Sequence, residues 1–465
     1  MTPILVFALS QVAAEIDAVS PDRVQIGRVE TGRIETDYVD LPEAKPPYYR
    51  VRFVPSEEPN TLIDPVSYTV WIPPGAKRLR GLVVHQHGCG PGSCRSGATA
   101  AYDLHWQALA KRHDCGLLAA TYEQPDGSDC VRWCDPRNGS EAAFRRALGV
   151  LAAASGRDEL DDVPWALWGH SGGGVWCGGM ALLHPNRVVA AYLRSGVPPI
   201  EPLPDRPEVT PFVIPDNFDV PLMLHLGIRE GVVLDADGPR KFDSVWPRSL
   251  RFFRVVRGLT GRGRLHNPIG ITIDPNTMHE CGNTRYLAIP WFDELLTRRL
   301  GEGKIAEDAI PTGVFGNHLP GRRAGLADDV SEYSWLPSES IRELWRSYRE
   351  TADVPDTTPP PAPTSVRIRN GLLVWGADAD PESGLRAFVV ERDGEPIATV
   401  TGGKNPRGRN VFQGLQYSDT PSNPLVPLAF RLEAFDPAST YTVRCVNTVG
   451  LESAPSLPAK REVAP

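Results

Sequence analysis

A chain of 465 residues with 41% hydrophobic content has enough apolar mass for one large core and a second, smaller module. Its formal net charge of -8 leaves no basic footprint of the kind that phosphate backbones or anionic membrane surfaces require, so no nucleic-acid partner is expected. No apolar run approaches the roughly 20 residues needed to cross a bilayer, and no membrane span is expected either.

Residues 1–14 combine a short apolar stretch with small residues, the texture of a secretory signal that lacks the usual basic start. Residues 1–19 are therefore read as a signal segment and the mature protein as secreted or periplasmic. The eight cysteines fit an oxidising compartment. Cys89 with Cys94 and Cys130 with Cys134 are close enough for local bridges, but spacing fixes no connectivity among these and Cys115, Cys177, Cys281 and Cys445. His85, His87, Cys89 and Cys94 lie together without matching a zinc spacing, so neither a metal nor a cofactor is expected.

Residues 22–76 alternate β-rich stretches with turns and predict opening antiparallel strands. Buried β followed by helix then repeats. Strands are predicted at 81–86, 116–122, 163–168, 188–193, 221–226 and 269–273, and helices at 98–112, 141–154, 174–183, 244–257 and 285–300. This alternation implies parallel strands with right-handed crossovers, hence a three-layer α/β domain whose reactive groups gather at the carboxyl ends of the strands. A closing helix over 338–350 brings that domain to residues 20–353.

Residues 354–364 are proline-rich, stiff and extended, and read as a linker. Residues 365–465 carry short β runs and predict a small all-β sandwich. Trp375 on an early strand and the late run from Tyr441 to Gly450 resemble a fibronectin type III module, whose late-strand tyrosine forms a corner. That resemblance implies contact with a carbohydrate or another surface through the C-terminal part.

The segment Gly169-His170-Ser171-Gly172-Gly173 joins a predicted strand to a predicted helix. A serine at such an apex is held in a crowded backbone, and the glycines two residues to either side let strand and helix pass closely. Its hydroxyl projects from the sheet edge, and the Gly172 amide sits at the positive end of the following helix, where an oxyanion is stabilised. The alternative is a glycine-rich turn with a structural role only.

Three other segments stand at strand ends: His87-Gly88-Cys89-Gly90, Gly227-Ile-Arg-Glu230, and the loop from Asp274 to His279. With the serine turn they resemble the α/β-hydrolase superfamily over residues 20–300, and the segment 279–293 with the linker and the fibronectin-like tail is similar to serine esterases of a bacterial secreted type. The family order of Ser, acid, His implies Ser171 as nucleophile, Glu230 as acid and His279 as base. Glu230 departs from the more usual aspartate, and Asp235 and Asp237 follow in the same loop as alternatives. Oxyanion donors are implied at Gly172 and at Cys89 or Gly88, with His87 bracing its turn.

About 60 residues separate Ser171 from Glu230, too few for a large helical cap. An open site favours bulky or polymeric substrates, with Trp133 as an aromatic wall and His170 as a further substrate contact; Trp168 is expected in the core. The expected function is hydrolysis of carboxylic esters through an acyl-enzyme, on a small-molecule or polymeric ester such as a polysaccharide ester or polyester. A serine peptidase, or a secreted non-catalytic binding or adhesion protein on a hydrolase fold, are the alternatives.

Overall fold

The structure is a computed structural model that describes residues 28–30, 32–55, 62–216, 218–235, 238–239, 241–258, 267–306, 313–316, 333–353, 355–401, 419 and 428–462. The expected signal segment and Asp237 lie outside the described residues.

Strands β1 (Arg28–Glu30), β4 (Tyr48–Phe53), β5 (Val66–Trp71), β6 (Gly81–Gln86), β7 (Cys115–Tyr122), β8 (Trp165–His170), β9 (Val188–Arg194), β10 (Leu222–Gly227) and β11 (Ile269–Asp274) form one sheet, while β2 (Gly32–Glu35) and β3 (Asp40–Ala44) form a separate ribbon. The sheet order is β1-β4-β5-β7-β6-β8-β9-β10-β11. β1, β4, β5 and β7 pair antiparallel, and from β7 to β11 every pairing is parallel. All residues of β6 to β11 are buried. A strand covered on both faces can be apolar throughout, which is why these segments are near-continuous hydrophobic runs.

Alternate residues enter opposite layers, as the period of two requires. Leu167 of β8 and Leu193 of β9 join the core under α4 (Ser140–Ser155), α5 (Gly172–Leu183) and α6 (Val245–Gly258). Trp168 and Tyr192 join the core under α2 (Leu104–Arg112), α7 (Arg285–Arg299) and α8 (Glu339–Thr351). The result is a mixed α/β sheet with helices on both faces.

One predicted element differs. The helix expected over 98–112 is two helices, α1 (Pro91–Ala100) and α2, because Pro91 starts α1 early and the Asp103 carboxylate accepts from the amides of His105 and Trp106 at 3.0 and 3.2 Å, capping a new start. A short α3 (Val131–Cys134) also stands in the loop before α4.

Beyond the proline-rich stretch, β14 (Thr364–Arg369), β15 (Leu372–Gly376), β18 (Ala429–Arg431) and β20 (Lys460–Arg461) form one small sheet, and β16 (Ala387–Arg392), β17 (Glu395–Thr401) and β19 (Tyr441–Val446) another; β12 (Val314–Gly316) and β13 (Ser334–Leu336) pair separately, before α8. Val366, Leu373, Trp375, Phe388 and Val443 form one core between the two small sheets. Leu104 and Ala108 of α2 pack against that core, and His105 Nε2 lies 2.9 Å from the Pro381 carbonyl. Asp419 reaches further. Its buried carboxylate accepts from Trp106 Nε1 at 2.6 Å and Arg285 Nη2 at 3.0 Å and lies 2.9 Å from His85 Nε2.

Candidate active site

β8 runs into Ser171, whose φ of 54° and ψ of -117° are an unusual backbone for a residue with a side chain, and α5 begins at the next residue. The flanking glycines are required by close approach: a Cβ at Gly169 would lie 2.2 Å from the Gly173 carbonyl oxygen, and one at Gly173 would lie 2.4 Å from that of His87. The strand, the helix and the loop after β6 thus meet with no room for a methyl group.

Ser171 Oγ lies 2.7 Å from His279 Nε2, and His279 Nδ1 lies 2.5 Å from Glu230 Oε1. His279 comes from the loop after β11 and Glu230 from the loop after β10, so three strand ends supply the three side chains. The second oxygen of Glu230 accepts from the Gly227 amide at 2.7 Å, Ser195 Oγ at 2.6 Å and Arg194 Nη1 at 3.1 Å. Burial alone would raise the Glu230 pKa; hydrogen bonding from His279 and the charge of Arg194 outweigh it and hold the carboxyl below its ordinary value. A hydroxyl, an imidazole and an ionised carboxylate in this series can pass a proton from oxygen to nitrogen while the new cation is stabilised.

Of the acid alternatives, Asp235 is exposed, whereas Glu230 is the carboxylate on His279. The oxyanion candidates also separate. The Gly88 amide donates to Ser93 Oγ at 2.9 Å, which corrects Gly88 as a donor and leaves Cys89. Cys89 lines the same cavity as Ser171 and Gly172, and a Cβ at Gly172 would lie 2.1 Å from its sulfur. His87 is buried; its Nδ1 donates to the Gly88 carbonyl at 2.7 Å and its Nε2 accepts from the Tyr122 amide at 3.1 Å, so it ties the loop to β7.

Of the two expected substrate contacts, Trp133 is corrected. Trp133 is fully buried: α3 turns it against Tyr122, with ring centroids 4.7 Å apart, and its Nε1 donates to Gln124 at 3.0 Å. His170 touches a cleft beside Ser171 but is only 2% exposed, and its Nε2 lies 2.6 Å from the His279 carbonyl, so it braces the base loop. The disulfide joins Cys89 to Cys130, not either local pair; Cys94 and Cys134 are free and buried. It ties the loop after β6 to the loop after β7. Cys89, Cys130 and Cys134 cluster, but two of the three are bridged and offer no thiolate to a metal.

Two cavities meet at the serine. One of about 570 Å³ has apolar walls from Pro198, Pro199, Pro202, Leu203, Val209 and Phe252. The other, of about 330 Å³, is mixed, with Gln124, Asp126, Ser128, Asp129 and Lys241 beside Pro91 and Phe242. Phe242 borders both and lies on the His279 ring.

Sequence reasoning missed Phe242 and Arg194. The available signal for Arg194 was a charged residue closing the buried run of β9 at its carboxyl end. For Phe242 there was none beyond an aromatic residue in a loop that follows the acid.

No family model and no curated protein matches this chain. Among solved structures, it is similar to poly(aspartic acid) hydrolase-1 from Sphingomonas sp. KT-1 (18% identity, 46% of this chain and 88% of the other, TM-score 0.33). It is also similar to a cold-adapted esterase from an Arctic intertidal metagenomic library (15%, 56% and 97%, TM-score 0.34) and to an S-formylglutathione hydrolase from Agrobacterium tumefaciens (15%, 58% and 100%, TM-score 0.34).

Proposed function

We propose that this protein is a serine hydrolase that cleaves carboxylic esters through an acyl-enzyme. The observation that carries the reading is the unbroken series Ser171, His279, Glu230, at 2.7 and 2.5 Å, opening on two cavities. Ser171 Oγ attacks the ester carbonyl while His279 Nε2 takes its proton. The amides of Gly172 and Cys89 receive the negative oxygen of the tetrahedral intermediate, and His279 returns the proton to the departing alcohol. Water then repeats the sequence on the acyl-enzyme and releases the acid. Glu230 holds the imidazole in its tautomer and stabilises the imidazolium.

An ester has two sides, and the serine stands between a mainly apolar cavity and one of mixed, more polar lining. This favours an ester that joins a bulky apolar group to a hydroxylated one, as in a polysaccharide ester, or the repeating ester of a polyester. The proposed organisation is an α/β-hydrolase domain over residues 20–353, a linker over 354–364 and a fibronectin type III-like module over 365–465. For the module, the Asp436 amide donates to Tyr441 Oη at 3.0 Å, the hydrogen bond of a tyrosine corner, supports the reading. The Cys89–Cys130 bridge supports a secreted or periplasmic protein.

The test is an acyl-length series of p-nitrophenyl esters beside a feruloylated polysaccharide and an aliphatic polyester. Bulky acyl groups are expected to give higher kcat/KM than acetate, with Ser171→Ala losing at least about 10³-fold on every substrate. No turnover of any ester by the folded protein contradicts the proposal.

A further inference from the structure

Arg194 ends β9 with no exposed surface, two strands away from the residue that carries the imidazole. Its Nη1 donates to Glu230 Oε2 at 3.1 Å, to the His225 carbonyl at 3.2 Å and to Ser195 Oγ. Its Nη2 turns to the other loop: Thr277 Oγ1 at 3.0 Å, the Met278 carbonyl at 3.3 Å and the Glu280 carbonyl. The second set brackets His279 on both sides. One rigid, planar donor group therefore holds the acid with one nitrogen and the turn of the base with the other, a task that a lysine's point charge cannot do in the same geometry.

We propose that Arg194 is a positioning residue of the hydrolytic site, a single guanidinium that fixes the acid and the base-bearing turn relative to each other. The inference rests on the reading of Ser171, His279 and Glu230 as the reacting series. The chain builds the clamp from adjacent positions. Arg194 and Ser195 share the Glu230 oxygen, and Gly227 admits the base loop, since a Cβ there would lie 1.9 Å from the Met278 carbonyl oxygen. The acid is thus pinned from below by β9 while its free oxygen faces the imidazole.

The charge matters as well as the fork. Glu230 is faced by Arg194 at the end of β9 and Ser195 just after it, by His279 from the base loop and by the Gly227 amide. Around Arg194 stand Asp274, Tyr348, Cys281, His225 and His170, while the Glu280 carboxylate accepts from the Met278 amide at 2.7 Å. His170 and His225 are pushed well below their ordinary values by burial and are neutral near pH 7. Arg194 is the one cation in direct contact with Glu230 among the described residues. It favours the ionised carboxylate, so its removal lets Glu230 take up a proton at higher pH and moves the acid limb of activity upward.

The experiment compares the full-length protein with Arg194→Met, Arg194→Lys and Thr277→Val, measuring kcat, KM and their pH dependence on p-nitrophenyl butyrate. Arg194→Met is expected to lose about 10²-fold in kcat with KM little changed, because Arg194 borders neither cavity, and to move the acid limb to higher pH. Arg194→Lys keeps the charge: its acid limb stays in place while kcat falls less. Thr277→Val removes one ligand of the clamp, lowers kcat about threefold and leaves the limb unmoved, and it remains informative if Arg194→Met does not fold. A wild-type limb and kcat in Arg194→Met, or a limb in Arg194→Lys displaced as far as in Arg194→Met, overturns the inference. Should Arg194→Met fail to fold, wild-type kcat in both Arg194→Lys and Thr277→Val does so. Fluorophosphonate labelling of the unmodified protein separates the two readings: absence of label at Ser171 defeats the hydrolase itself, whereas label with unaffected Arg194 variants defeats only the clamp.

Discussion

Phe242 lies flat on His279, with ring centroids 3.9 Å apart and planes inclined by 1°. The benzene face covers one side of the imidazole, and the same ring borders both cavities. Its loop therefore confines the base and contributes a wall to both cavities.

An imidazole that becomes a cation during turnover gains from an aromatic face, by about 1 kcal/mol. Phe242→Ala is expected to lower kcat on p-nitrophenyl acetate five- to tenfold and to narrow the preference between bulky and small acyl groups. Steady-state kinetics on the two classes of ester check this. Unchanged kcat with unchanged selectivity would show that the ring is a bystander.

Asp419 sits in the α/β part of the molecule although it belongs to the C-terminal residues, and with Asp103 it neutralises the buried Arg285 at the first turn of α7, just after the base loop. Burial alone would raise its pKa; the Arg285 charge and the hydrogen bond from His85 keep it below the usual carboxylate range. Removing one partner of a buried pair typically costs about 3 to 5 kcal/mol, because the other charge stays behind. Asp419→Ala is expected to lower Tm by several degrees, and truncation after residue 353 to lower it further and to reduce hydrolysis of small esters. Thermal unfolding followed by circular dichroism reads both. A truncated protein with unchanged Tm and activity would mean that the C-terminal part is only an appendage.

Buried histidines set the acid stability. Burial lowers His87 and His105 from 6.5 to about 4. The unfolded chain thus binds protons that the folded chain refuses, so the stability these residues confer is complete above pH 6.5 and is lost progressively as the pH falls toward 4. Glu230, with a depressed pKa, adds a contribution that is present above the ordinary carboxylate range and disappears only at lower pH. A Tm that falls steadily between pH 6.5 and 4 is expected, and a flat profile across that range would contradict it.

Much of the scaffold is legible in the chain because its causes are local. Parallel strands buried on both faces, from β6 to β11, need continuous apolar runs, and the turn at Ser171 needs glycine at 169 and 173, so both leave marks within a few residues. Contacts that join distant segments leave none. Arg194 meets residues 225 to 280, Asp419 meets His85 and Arg285, and Phe242 meets His279, and no periodicity encodes those encounters. Trp133, flanked by cysteines in a loop, has the composition of an exposed wall; the single turn of α3 that folds it onto Tyr122 is too short to read from spacing.

The most direct test of the account is covalent. A fluorophosphonate probe is incubated with the full-length protein and with the Ser171→Ala and His279→Ala variants, and the labelled peptide is sequenced by mass spectrometry. Modification of Ser171 alone, absent in Ser171→Ala and strongly slowed in His279→Ala, is the predicted result. A folded protein that reacts at another serine, or labels at Ser171 equally fast without His279, would contradict it.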